Sequence, residues 1–259
     1  DEQSLRAAAR LAAAELLLGG TTTALTMETV HDTDAVFDAL VSTGLRAVVG
    51  KCLMNTGDRV PGRLYQPTTE AIDESLKRMQ TDYLDLWQFH ALQKVEDVET
   101  IWGPGGAMEG AQAALKAGKI RHLGLTGHTD PACHLRALEF GGVETLQMPL
   151  NPLDAHYLSF QNQVVPKAKA KGVGVIAMKT LCYGKALEEK VYTVEESFQY
   201  VWSLGADVIV SGMTSVAQLE QNAAAARAFA PMPDAERAAL LARVKPRAGN
   251  EIESFKKKA

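Results

Sequence analysis

Several features that would settle a protein's class at once are scarce in this sequence. Only three of its 259 residues are cysteine (Cys52, Cys133, Cys182). They lie far apart and without CxxC spacing, which excludes a disulfide framework and predicts a reduced, cytoplasmic protein. No apolar run approaches the roughly 20 residues that cross a bilayer, and no signal peptide is visible. The net charge is −4, and the one basic run is the terminal Lys256 to Lys258, read as a solvated tail. Nucleic acid, whose phosphates demand clustered Lys and Arg, is therefore excluded as a partner.

What the sequence does have is apolar content, 46% over 259 residues, enough for one large core. That size is typical of a single (β/α)8 barrel. Helix and strand patterns alternate almost throughout, the mark of a parallel sheet with crossover helices. The Ala- and Leu-rich stretch Ser4 to Leu18 predicts a helix that stops at Gly19-Gly20. Strands are predicted at Thr21 to Met27, Leu45 to Cys52, Tyr83 to His90, Ile120 to Thr126, Thr145 to Pro149, Gly174 to Met178 and Val208 to Ser211. Helices are predicted over Asp34 to Ser42 and Thr69 to Met79, with the final one over Gln218 to Phe229. Asn55 to Pro67, with Gly57, Pro61, Gly62 and Pro67, reads as a loop. Seven strands with none before the first helix would leave open edges, and open edges recruit partners. The expectation is a homodimer with the N-terminal segment in its interface; the alternative is that residues 1 to 3, or a tail from Arg247 onwards, patch the gap.

Several stretches carry a family resemblance. LKRMQTDYLDLWQFH (Leu76 to His90), GKIRHLGLTGHTDP (Gly118 to Pro131), ETLQMPLN (Glu144 to Asn151), VGVIAMKTL (Val173 to Leu181) and VSGMTSVAQLEQN (Val210 to Asn222) resemble the aldo-keto reductases. Ser4 to Met27 and Thr33 to Met54 resemble the amidohydrolases that deaminate ring nitrogens. The chain thus reads as a chimera of residues 1–75 and 76–259 that together form one α/β domain, a TIM-barrel-like fold lacking its first strand.

The reductase resemblance implies hydride transfer from NADPH to a carbonyl, using an Asp, a Tyr acid, a Lys and a His. His90 matches the His that ends the family's fourth strand, and Lys51 sits where the Lys ends the third. In LTMETVH, Thr26 stands at the Asp position and His31 at the Tyr position, so the general acid is missing. For the cofactor, Thr126 and Gly127 fall at the amide-binding Ser-Asn, and Gln147 at the Gln that also holds the amide. The SGMTS turn, with Gly212, Thr214 and Ser215, matches the phosphate site, where helix-start N–H groups favour anions. Asn222 matches the residue that contacts adenine, with Gln221 where the family has Glu. For Gln147 and Asn222 the alternative is polar satisfaction within the fold. The amidohydrolase resemblance carries over no metal ligand, since the sequence has no HxH pair.

Strand ends also gather His31, Lys51, Cys52, His90 and His128, and barrel enzymes build their sites there. His31, His90 and His128 could form a three-ligand zinc site whose water titrates near ~7. The plainer alternatives are an inherited reductase residue for His90, a helix cap near Asp130-Pro131 for His128 and a loop position for His31. Of the other histidines, one of the Arg121–His122 pair should face the interior, while His134 and His156 read as packing or structural residues. Cys182 has no adjoining base. The leading reading is a metal-assisted hydrolase of activated esters or phosphotriesters, with His90, Lys51 and His31 as catalytic residues and a small molecule as substrate. The alternatives are an NADPH-dependent aldo-keto reductase with an impaired tetrad, and an inert fused barrel.

Overall fold

The computed structural model describes residues 2–18, 23–28, 33–44, 46–51 and 67–256, and the side chains of residues 2–14, 35–44 and 67–256. Its elements run α1 (Glu2–Leu18), β1 (Thr23–Glu28), α2 (Thr33–Val41), β2 (Arg46–Lys51), α3 (Thr68–Met79), β3 (Leu84–Phe89), α4 (Val95–Trp102), α5 (Ala107–Lys116), β4 (Ile120–Thr126) and α6 (Pro131–Phe140). They continue with β5 (Thr145–Pro149), α7 (Phe160–Gln163), α8 (Val165–Ala170), β6 (Gly174–Met178), α9 (Lys185–Glu188), α10 (Val194–Ser203), β7 (Val208–Ile209), α11 (Val216–Arg227) and α12 (Asp234–Val244). Two compact units divide them: Asp1–Leu84 with Gly103–Lys119, and Asp85–Trp102 with Ile120–Ala259.

In the first unit β1 and β2 pair in parallel, from Thr23 opposite Arg46 to Glu28 opposite Lys51. The alanines of α1 leave room for α2: Ala9 and Ala13 pack on Val36, Ala39 and Leu40, with Leu5 at the margin. Arg6 bridges Glu2 and Asp38 on the outside of that contact. A second helix pair, α3 and α5, buries Ala71, Ile72 and Leu76 together with Ala107, Ala111 and Ala114. Gly110 lets the two approach, since a Cβ there would lie 2.8 Å from the Thr68 Cβ.

In the second unit the sheet order is β3-β4-β5-β6-β7. β4 to β7 pair in parallel, with Thr126 opposite Gln147 and Gln147 opposite Ile176. Parallel strands are covered on both faces, so their apolar residues run without alternation: Leu123–Thr126 and Val175–Met178 are continuously buried. Leu123, Leu125, Leu146 and Met148 have no exposed surface. Cys133 and Ala137 of α6, Ala168 of α8 and Phe198, Tyr200 and Val201 of α10 are buried with them.

Seven strands are present among the described residues, and β4, β5 and β6 have the predicted bounds. Val208 to Ser211 shortens to Val208–Ile209. The helix expected from Gln218 begins at Val216, because Ser215 caps it by accepting from the Gln218 N–H at 3.3 Å. It is not the final helix, since α12 follows. Residues 29–32 and 52–66, and with them His31, Cys52 and all but the last residue of the predicted loop, lie outside the described residues. Among those described, no helix is long and apolar enough to cross a membrane.

Lys256 is no part of a solvated tail. It is fully buried, its ammonium 2.5 Å from Asp154 Oδ1, 2.9 Å from Glu253 and 2.8 Å from the Tyr157 carbonyl. A lone buried ammonium would be prohibitive, and these partners are the physical reason that Lys256 lies inside.

Candidate active site

Because the strands of the second unit run parallel, the residues just past β3, β4, β5 and β6 share one edge of the sheet. Past β3, the Ala91 N–H donates to Thr126 Oγ1 at 2.8 Å and the Leu92 N–H to the Thr126 carbonyl at 2.9 Å. These bonds lock the segment that carries His90 to the end of β4. Past β4, the Gly127 N–H donates to the Gln147 carbonyl at 3.2 Å. Gly127 has to be glycine here: a Cβ would lie 2.8 Å from the Leu92 carbonyl oxygen and 2.9 Å from His134 Cε1.

Thr126 and Gln147 are thus brought together by register. The Gln147 amide oxygen accepts from Gln88 Nε2 at 3.0 Å, while its Nε2 finds only the Met178 sulfur, at 3.7 Å. A thioether is a weak acceptor. Among the described residues Gln88 Oε1 is buried with no hydrogen-bond partner, as is His128 Nδ1. The sheet edge therefore holds polar atoms whose capacity the described residues leave unused, as a polar ligand requires.

His90 is held below its ordinary value by loss of solvent and, second, by the charge of Lys179, the first residue past β6. Burial also lowers His128, as do Lys179 and His90, against a bond to the Phe255 backbone that raises it. The Lys179 ammonium lies 4.0 Å from the centre of the Tyr183 ring. Phe255 sets its ring edge-on to both His128 (6.4 Å) and Tyr183 (5.8 Å). Sequence reasoning missed Lys179, Tyr183 and Phe255; the location of Lys179 directly after a strand was the available signal.

Beyond β7, the Thr214 N–H and hydroxyl donate to Gln218 Oε1 at 2.7 and 3.2 Å, closing the turn in front of α11. A Cβ on Gly212 would meet open space. Asn222 Nδ2 donates to Ser211 Oγ at 3.1 Å, and Gln221 to Glu195 at 2.9 Å. A groove of about 520 Å³ borders Gln221, with Tyr192, Glu195, Glu196 and Arg243 in its lining. Three of its charges are already engaged, Glu196 with Arg243 at 2.7 Å and Glu195 with Gln221 at 2.9 Å.

Of the remaining candidates, His122, His134, His156 and Cys182 resolve as structure. Asp130, not His128, caps α6 by accepting from the Ala132 N–H at 2.8 Å. Neither Arg121 nor His122 faces inward: both are exposed and pair with Asp85 and Glu144. His134 is fully buried on the Gln147 carbonyl, 3.1 Å away, and its value falls to about 4 through desolvation. His156 meets the Leu241 carbonyl at 3.0 Å. Cys182 is buried against the Tyr192 hydroxyl, and burial pushes its thiol up to about 12, far from thiolate reactivity. Lys51 closes β2 in the first unit, opposite Glu28.

The aldo/keto reductase family model matches residues 47–199, more than half of the chain. The methylglyoxal reductase DkgB of Salmonella typhimurium is 33% identical over 130 residues, 47% of this chain and 43% of that protein. The aldo-keto reductase YhdN of Bacillus subtilis is 30% identical over 131 residues, 49% of this chain and 36% of that protein. The matches thus span under half the length of these two relatives. Among solved structures, an aldo-keto reductase from Bacillus halodurans (holo form) aligns with TM-score 0.59 at 20% identity, covering 98% of this chain and 91% of that one. A Bombyx mori aldo-keto reductase in complex with NADP aligns with TM-score 0.52 at 18% identity, covering 86% and 78%. At such identities the likeness is one of fold, the α/β TIM-barrel class expected from the sequence.

These findings correct the sequence reading. The family match starts at Ala47, inside the stretch Thr33 to Met54, so the reductase resemblance does not begin at Leu76. Nothing in the comparisons supports an amidohydrolase part or a chimera. The metal-assisted hydrolase of esters or phosphotriesters is overturned by the same match, and the zinc site with it. Strand-end adjacency proved a poor guide to ligation: His90 and His128 share their surroundings with the Lys179 cation, which opposes a divalent ion. Among the described residues no group of three His, Cys, Asp or Glu side chains is placed to hold a metal, and His31 lies outside them. The chain belongs to the aldo/keto reductase family.

Proposed function

We propose that the protein is an NADP(H)-dependent reductase of small carbonyl compounds. The observation that carries this reading is the registered pair Thr126–Gln147, with unused amide capacity at Gln147 and Gln88, on the same sheet edge as His90. When bound, a reduced nicotinamide supplies hydride to a carbonyl carbon. Thr126 and Gln147 would hold its carboxamide. Gly212, Thr214 and Ser215 would hold a phosphate, which takes the place of Gln218 Oε1 on the Thr214 N–H, and Asn222 would hold the adenine end. His90, neutral because of desolvation and Lys179, keeps a ring N–H to orient the carbonyl oxygen. Lys51 and His31 complete the proposed catalytic set, and residues 1–75 and 76–259 are proposed to form one barrel domain.

Since Thr26 and His31 replace the family's Asp and Tyr, turnover should fall by about 10²–10⁴-fold relative to an intact tetrad. NADPH should quench protein fluorescence on binding and be slowly oxidised by methylglyoxal or 4-nitrobenzaldehyde. His90→Ala should lower turnover and leave NADPH binding in place. Absence of any NADPH binding at millimolar cofactor would end this reading.

The proposal extends to a homodimer. The last βα unit exposes Val208 (51%), Val216 (70%) and Leu219 (52%), apolar surface of the kind that a partner covers. Light scattering at micromolar concentration should give twice the chain mass, and a monodisperse monomer would refute this assembly.

A further inference from the structure

Reduction of a carbonyl needs a proton at oxygen as well as a hydride at carbon, and the family's position for the acid holds no tyrosine. At the described sheet edge, His90 and His128 are both held toward the neutral imidazole by desolvation and Lys179. Neutral imidazoles orient well and protonate poorly. Tyr192 is committed elsewhere, buried with its hydroxyl on the Thr180 carbonyl at 3.0 Å. Tyr183 is joined to this group through Phe255, whose ring meets both His128 and Tyr183, and through Lys179. It is 67% exposed, in the 3₁₀ turn Cys182–Gly184, and the Lys179 ammonium lies 4.0 Å from its ring centre.

The backbone here is unusual as well. Lys179 (φ 55), Cys182 (φ 51) and Tyr183 (φ 60) are left-handed non-glycine residues within five positions of one another. Such conformations are unfavourable for bulky side chains and gather at functional sites. The result is a short segment that holds one ammonium and one phenol together over the end of β6.

Resting on the reductase reading above, we propose that Tyr183 is the proton donor to the substrate oxygen and that Lys179 is its electrostatic partner. Tyr183 Oη would give its proton to the carbonyl oxygen, and a bound reduced nicotinamide dinucleotide would supply the hydride to the carbonyl carbon. The C=O π bond, the tyrosine O–H bond and the C–H bond of the hydride donor would break, and a C–H bond and an O–H bond of the alcohol would form. The carbonyl is reduced to the alcohol, the nicotinamide is oxidised, and the phenolate regains a proton from bulk water, to which the residue is open. The ammonium beside the ring stabilises the negative charge that develops in this step.

Tyr183→Phe isolates the hydroxyl, because phenylalanine retains the contacts with Phe255 and with Lys179. With NADPH and 4-nitrobenzaldehyde, kcat should fall at least about 10²-fold, while KM and the fluorescence-measured NADPH affinity stay within about twofold. Lys179→Met should lower kcat likewise. In addition, without any cofactor, it should move the NMR titrations of His90 and His128 to higher pH, which Tyr183→Phe should not. Wild-type turnover that survives Tyr183→Phe would overturn this assignment and leave the reductase reading standing. A wild type that binds NADPH without reducing the aldehyde would also overturn it. A wild type that neither binds nor reduces would overturn the reductase reading, and this assignment with it.

Discussion

Replacing Lys256 with methionine should destabilise the protein by about 3–5 kcal/mol, the range found when one partner is removed from a buried ion pair. Lys256, Asp154 and Glu253 are all fully buried, so no solvent screens the loss. Asp154 also accepts from the Phe160 and Gln161 N–H groups at 3.1 and 2.7 Å. Glu253 is less well served: Oε1 accepts from Asn151 Nδ2 at 3.0 Å, and Oε2 has no hydrogen-bond partner among the described residues. Desolvation is the leading cause that raises both carboxyls, and Lys256 is the main cause that restrains the rise.

A carboxyl whose folded value lies above its unfolded one binds its proton more tightly when folded. Its contribution is complete below the ordinary carboxylate range and is lost as pH rises through the raised value. Lys256→Met should therefore lose more stability at neutral pH than at pH 4. Glu253→Gln, which keeps an acceptor for Asn151 and removes one of two charges facing a single ammonium, should stay within about 1 kcal/mol of wild type. Urea unfolding followed by circular dichroism reads all three. A Lys256→Met midpoint equal to that of wild type would show that the cluster does not stabilise the fold.

The second large effect is acid lability at His134. Its imidazole is fully buried with a value of about 4 against an ordinary 6.5, which corresponds to about 3 kcal/mol. Here the folded state binds the proton less tightly than the unfolded one. Stability is therefore complete above pH 6.5 and is lost as pH falls through about 4, the opposite sense to the two carboxyls. The neutral ring donates from Nε2 to the Gln147 carbonyl and sets its edge against Phe160, with ring centres 5.2 Å apart. His134→Gln keeps a donor for that carbonyl and removes the titration. Its unfolding free energy should decline less than wild type between pH 6.5 and 4, and equal declines would remove His134 as the cause.

The strands of the second unit were legible in the sequence because burial on both faces makes them continuous apolar runs. Leu123 to Leu125 and Val175 to Met178 carry that signal within a few residues, and the bounds of β4, β5 and β6 agree. His90, Thr126 and Gln147 were legible through their family motifs. The Ala-rich first unit was misread: alanine-spaced helices record how closely two helices approach and little else, so they resemble more than one barrel family.

Tertiary structure alone decided the rest. Lys256 reaches Asp154 across 102 positions of sequence, and nothing near either residue announces the other. Lys179 reached His90 and His128 through the parallel order of β3, β4 and β6, and burial, with the charge of Lys179 behind it, holds both imidazoles of the supposed metal site toward the neutral form. Periodicity and motif are local properties that the sequence determines. Which strand ends adjoin, and where Lys256 buries its charge, depend on register and packing between distant segments.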